Sequence, residues 1–210
     1  MKFIFILFFC LLFFSSSHAQ NHDAVWPMGY QNVYIDPDGN VTPEELERLF
    51  RFYQFEFSED GYKIIKTGDR VLPIHGTLSI YCDDKGKMLY YTNGQAICDS
   101  SHQKIEGGEK IGTNNQDYWD YNALNPEWPW GYFSPQGILF LPWPDKDSLI
   151  TLSLLYNISE DKHDLFTYNI ISTKEISKLV LHDKVIKKGH FKTGKITATR
   201  HGNGRDWWIC

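Results

Sequence analysis

A sixteen-residue plan occurs three times in this chain and constrains its fold more than any other feature. The copies are Gly76–Tyr91 (GTLSIYCDDKGKMLYY), Gly137–Leu152 (GILFLPWPDKDSLITL) and Gly194–Ile209 (GKITATRHGNGRDWWI). A glycine opens each copy, and an aliphatic residue follows two positions on (Leu78, Leu139, Ile196). A turn residue stands ten on (Gly86, Asp147, Gly204), and a large apolar residue thirteen on (Leu89, Ile150, Trp207). Each copy reads as two short strands around a polar turn. The copies start 61 and 57 residues apart. Recurrence at such a period points to a repeat architecture.

The stretches between the copies extend this pattern. FEFSEDGYKIIKTG reads as a hairpin, with Phe55 and Phe57 alternating against Glu56 and a turn at Glu59-Asp60-Gly61. A third strand over Gln95–Cys98 follows Asn93-Gly94. After the second copy, DLFTYNIIST is a strand reached by a turn at Glu160–His163, and Lys184–Lys188 makes a fourth. Pro142 and Pro144 would be disallowed inside a paired central ladder, so the strand carrying them ends or bulges there. One four-stranded unit per 57–61 residues matches a β-propeller blade with generous loops. A β-sandwich also has many short strands, but it need not restart one hairpin in one register. The expected fold is all-β: an incomplete β-propeller-like array of antiparallel blades with one short helix near the N-terminus.

That helix begins at Thr42, an N-cap followed by Pro43 at the first helical position and by Glu45, which completes a capping box. Leu46, Leu49, Phe50 and Tyr53 then share one face. The segment before it resembles a calcium-binding EF-hand loop, with Asp36 and Asp38 at ligand positions, Gly39 at the sharp turn and Glu45 at the bidentate position. Tyr34 occupies the first ligand position, however, and no amphipathic helix enters the loop. An Asp-Pro-Asp-Gly turn feeding a capped helix is the preferred reading, with calcium the alternative.

The chain opens MKFIFILFFCLLFFSSSHAQ, one lysine before an apolar run from Phe3 to Phe14. Twelve apolar residues fall short of the about 20 needed to span a bilayer. Ser17 and Ala19 supply a small-x-small cleavage pattern, so residues 1–19 read as a signal peptide and the protein as exported, secreted or cell-surface. Removing them takes away one lysine and moves the net charge from −5 to −6. Acids and bases are interspersed with no basic block, so nucleic acid is not an expected partner. The remaining cysteines, Cys82, Cys98 and Cys210, match no stapled scaffold or zinc spacing. Cys82 and Cys98 fall two strands apart in one meander, about 9–10 Å, beyond disulfide reach.

Residues 99–136 form a long irregular stretch rich in aromatics, including Trp119, Trp128, Trp130 and Tyr132. A loop of this length is commonly functional. Flat rings beside Asn and Asp can stack on sugar faces; alternatively, the same rings pin the loop onto the sheets. Catalytic signatures are sparse. There is no G-x-S-x-G motif, and the histidines show no H-x-x-x-H spacing. Asp117 and Asp120 are the one loop pair worth testing as paired carboxylates of a glycosidase.

The third copy, KITATRHGNGRDWWI, together with DDKGKMLYYTNG (Asp83–Gly94) and QGILFLP (Gln136–Pro142), resembles segments of exported bacterial multidomain proteins with an amino-terminal propeller-like region. Many of these carry a carboxy-terminal type IX secretion sorting domain. The resemblance covers roughly residues 55–210 and implies a propeller-type fold and secreted or surface placement. It implies no catalytic residues. It also implies that the chain is an amino-terminal part of a longer protein, since Cys210 ends a strand without its neighbour. The organisation expected is a signal peptide at 1–19, a lead-in with the capped helix at 20–57, and the first blades of a propeller-like domain at 58–210. The expected function is non-enzymatic binding or surface display, with a glycan or a surface protein as partner. A carbohydrate-active or carbohydrate-binding propeller using the loop at 115–133 and a purely structural surface protein are the alternatives.

Overall fold

A computed structural model describes residues 24–28, 53–58, 60–66, 72, 74, 76–123, 131–132, 134–143, 147–192 and 195–210. The capped helix expected from Thr42, the calcium candidates Asp36, Asp38 and Glu45, and Trp128 and Trp130 lie outside these residues. The one position of that expected helix inside them, Tyr53, opens a strand instead. Its backbone pairs with Met28 on one side and Lys66 on the other, so sheet pairing there overrides the helical spacing.

The described chain is mostly β: small antiparallel sheets and one short helix. The first sheet has the order β1 (Val25–Met28), β2 (Tyr53–Ser58), β3 (Gly61–Lys66). The lead-in around Trp26, which lacks sequence periodicity, is therefore a strand, and its sheet spans both sides of residue 57. Alternation along β2 sets its two faces. Phe55 lies opposite Trp26 and Ile64, and Phe57 opposite Tyr62, so apolar rings gather on one side. Gln54, Glu56 and Lys63 take the other side, and Gly61 at φ +124° closes the tight turn.

All three sequence copies form antiparallel hairpins. The first gives β4 (Ser79–Cys82) and β5 (Met88–Thr92), extended by β6 (Ile97–Asp99). Its turn forms because Asp83 Oδ1 accepts the backbone N–H groups of Lys85 and Lys87, both at 2.9 Å, while Gly86 takes φ +79°. The third strand starts two residues later than expected, since Gln95 belongs to the turn. A bridge from Cys98 to Lys104 adds a rudimentary fourth rung. The second copy begins the four-stranded meander β7 (Ile138–Pro142), β8 (Ser148–Asn157), β9 (Lys162–Ser172), β10 (Lys178–Phe191). Pro142 is the last residue of an edge strand, where its missing N–H leaves no central ladder bond unmade. β10 is far longer than the expected Lys184–Lys188 and keeps pace with β9 through four register shifts. The third copy gives β11 (Ala198–Arg200) and β12 (Trp207–Ile209).

The first repeat's sheet lies at the centre of the packing. Tyr90, Ile97, Ile138, Phe140, Leu149 and Ile171 form one core between it and the meander. On its other side, Val25 from β1 joins Cys82, Met88, Tyr91 and Cys98. Cys82 and Cys98 are thus buried thiols on β4 and β6 with β5 between them, and no disulfide joins them. Burial pushes the Cys98 thiol up to about 11. The opening segments of successive repeats also touch one another. Ser79 Oγ accepts the N–H of Phe140 at 3.1 Å, Thr77 Oγ1 donates to Ser134 O, and Ile196 N donates to Gln136 O at 3.3 Å. Among the described residues the sheets do not close into a ring.

Candidate functional site

The stretch that reads as irregular in sequence contains the helix α1, Gln116–Ala123. Its eight residues carry no aliphatic repeat, so periodicity could not reveal it. The cap is what defines it. Asn115 Oδ1 accepts the backbone N–H of Tyr118, the third helical residue, at 3.1 Å. The Asn115 amide nitrogen donates at 2.6 Å to Tyr132 Oη and also to the carbonyl of Tyr156 on β8. One side chain thereby caps the helix and fastens it to the meander.

A second anchor lies just upstream. Asp183, in the middle of β10 at a left-handed φ of +43°, turns its carboxylate onto the segment entering the helix. Oδ1 accepts Gly112 N at 2.9 Å; Oδ2 accepts Thr113 N at 2.7 Å and Thr113 Oγ1 at 2.6 Å. The Asp183 carbonyl accepts Asn114 Nδ2 at 2.6 Å, and its own N–H donates to Asn169 Oδ1 at 2.6 Å. His182 Nδ1 adds a contact to Oδ2 at 3.0 Å. A buried carboxylate with this many donors is well compensated for lost water. Nothing in the sequence marks Asp183 beyond its oddity as an acid within an apolar-basic strand.

These anchors explain where the loop aromatics lie. Tyr118 is fully buried, packs its ring at a tilt against Tyr132 with 4.3 Å between centroids, and donates its hydroxyl to Gly131 O at 2.7 Å. Tyr132 is only 3 % exposed, and burial raises its phenol above the ordinary range. Trp119 is half-buried, its indole N–H reaching Gly112 O at 3.2 Å and Lys110 Nζ lying 4.3 Å over its ring. The two described candidates for sugar stacking, Trp119 and Tyr132, therefore both take part in fastening the loop. Gly94 makes the close approach possible: at φ +85°, a Cβ there would sit 2.6 Å from Tyr132 Cβ.

Beside the first turn of α1 lies a groove of about 400 Å³, lined among the described residues by Asn114, Gln116, Asp117, Asn157, Lys162 and Asp164. Asn115, Leu165 and, from β10, Lys188 and Gly189 also line it, so its two lysines and two aspartates balance. Asp117 accepts Ser159 Oγ at 2.6 Å and Asp120 accepts Gln116 Nε2 at 2.6 Å. Three residues apart on one helix, these carboxylates share a side and cannot face each other across a cleft, the arrangement glycoside hydrolysis needs. The lining offers amide donors and acceptors around balanced charge, a chemistry suited to neutral hydroxyl groups.

Elsewhere, His163 lies in β9 and is buried, although its sequence neighbours read as a turn; the turn is completed earlier, with Asp161 at φ +49°. His163 Nε2 hydrogen-bonds Ser134 Oγ, and Tyr156 packs on the imidazole at 5.1 Å. Burial lowers its pKa. Ser134 and His163 are each 2 % exposed, and among the described residues no carboxylate orients the imidazole, so the pair lacks both access and the third group of a triad. His201 joins the β11–β12 turn, accepting Asn203 N at 3.2 Å. Among the described residues no three His, Cys, Asp or Glu side chains are placed to hold a metal, and no helix is long and apolar enough to cross a membrane. Comparison with known protein families, with curated proteins and with solved structures finds no match for this chain.

Proposed function

We propose that this protein is an exported, non-enzymatic binding or display module whose sheets are the first blades of a β-propeller-like array, with the groove beside α1 as its ligand seat. The observation that carries the reading is the repeated junction between hairpins. The opening of one repeat bonds that of the next at Thr77–Ser134, Ser79–Phe140 and Gln136–Ile196, as expected for blades set side by side around an axis. The leader-like residues 1–19 and the resemblance of the three repeat segments to exported bacterial proteins with type IX sorting domains support placement outside the cytoplasm. The tight fastening of the loop supports binding over catalysis, since its carboxylates are held side by side and hydrogen-bonded.

Within this reading, a neutral glycan is the ligand class that the balanced, amide-lined groove favours. A glycan-array screen of the full chain tests it. Binding to neutral oligosaccharides that is weakened by Asn157→Ala, survives Asp117→Asn with Asp120→Asn, and occurs without turnover is the expected result. Hydrolysis lost in the aspartate variants would replace the reading with an enzymatic one.

A further inference from the structure

A larger groove, about 510 Å³, lies on the opposite side of the first repeat, between the first sheet and the β4–β5 turn. That volume falls within the usual range for small-molecule sites. Its charge differs from that of the helix-side groove. Among the described residues, Lys63, Lys85 and Lys87 face one acid, Glu56, in a chain whose overall charge is −5. Gln54 Nε2 already donates to Glu56 Oε1 at 2.9 Å, whereas none of the three lysines forms an ion pair among the described residues. Asp83 and Asp84 adjoin Lys85 in the chain but do not line the groove, so along its concave surface the lysines outnumber the acid three to one.

The backbone that carries the lysines is held in place. Lys85 and Lys87 flank Gly86 in the turn that Asp83 Oδ1 closes through both of their backbone N–H groups. Lys63 projects from β3, paired directly opposite Glu56 on β2. The groove also includes Val25 and Met88, which are buried in the core beneath it. Cations rising from a held backbone, beside exposed Ile65, suit a ligand that combines an anionic group with a C–H surface. A bare inorganic anion would leave the apolar part unused.

We infer that this groove binds an anionic sugar, a uronate unit of an acidic oligosaccharide, with its carboxylate on Lys63, Lys85 and Lys87 and its ring against the exposed side chain of Ile65, above Val25 and Met88. The site is distinct from the groove beside α1 and does not depend on the function proposed for it. Isothermal titration of the full chain with trigalacturonate, maltotriose and sodium sulfate tests the assignment. Trigalacturonate is expected to bind through the groove's lysines, sulfate at least about tenfold more weakly, and any maltotriose binding to be insensitive to those lysines. Lys63→Gln, Lys85→Gln and Lys87→Gln should each weaken trigalacturonate binding about threefold to tenfold, and raising NaCl from about 50 to 300 mM should weaken it further. Lys188→Gln, in the other groove, should leave it unchanged. These exposed lysines make no structural bonds through their side chains among the described residues, so thermal melts of the variants should overlay the parent. Failure of trigalacturonate to bind, binding equalled by sulfate, loss of maltotriose binding in the Lys63, Lys85 or Lys87 variants, or sensitivity of trigalacturonate binding to Lys188→Gln alone would each overturn the assignment. The lysine effects on trigalacturonate and the Asn157→Ala effect on neutral glycans are read separately, so either reading can fail without the other.

Discussion

Asp183 shows how much one side chain can organise. Its carboxylate satisfies Gly112 N, Thr113 N and Thr113 Oγ1 together, so replacing it with Asn removes the charge and turns an amide N–H₂ toward groups that are themselves donors. Asp183→Asn is expected to destabilise the protein by about 2 kcal/mol or more, read from the shift in urea midpoint at constant slope. His163 gives a pH signature. Its burial lowers the folded pKa below the ordinary 6.5, so below that pH the unfolded chain binds the extra proton. The neutral form's contribution is therefore whole above pH 6.5 and declines as the pH falls. Between pH 7 and 5 the melting temperature should drop, and the drop should be shallower in His163→Gln. The thiols separate similarly. Cys98, pushed up to about 11, and buried Cys82 should resist a thiol reagent until the protein unfolds, while exposed Cys210 reacts at once.

At the scale of elements, hairpins and helix differ in how they announce themselves. The β4–β5 turn is local chemistry, an aspartate accepting two N–H groups beside a left-handed glycine, and both residues are visible in the sequence. Helix α1 depends instead on Asn115, which reaches Tyr132, seventeen residues away, and Tyr156 on another strand. No window of sequence contains those partners. Gly94 belongs to both classes: Asn93-Gly94 marks a turn locally, but the proximity of Tyr132 is tertiary. Gly94→Ala should therefore cost more than the about 1 kcal/mol of an ordinary glycine-to-alanine change at positive φ, and it should loosen residues 131–132. Amide exchange of Tyr132, whose N–H donates to Asn93 O at 2.8 Å, should quicken, and an unchanged rate would contradict the coupling.

Across the whole molecule, stability is shared between sheets. Phe140 on β7 is buried with Tyr90 and Ile97 of the neighbouring repeat, so the first repeat's sheet and the meander each complete the other's core. Phe140→Ala should cost about 3–5 kcal/mol and lower amide protection in β5 as well as β8, the mark of one cooperative unit. Loss confined to β8 would mean that the sheets melt separately.

The hairpins follow from residue order alone, because strand alternation and turn chemistry act over a few residues. Gly76, Gly137 and their followers mark the same plan wherever it occurs, and Pro142 marks a strand end. Other features lay beyond its reach. The strand at Val25–Met28 has no pattern of its own and exists through its partner β2. The length of β10 is set by β9 through successive bulges. Both grooves are assembled from segments far apart in the chain: Lys63 and Lys87 meet at one, Asn114 and Asp164 at the other. These features arise from packing in three dimensions, because complementary charge, burial and hydrogen-bond satisfaction depend on distance in space, which no short stretch of residues contains.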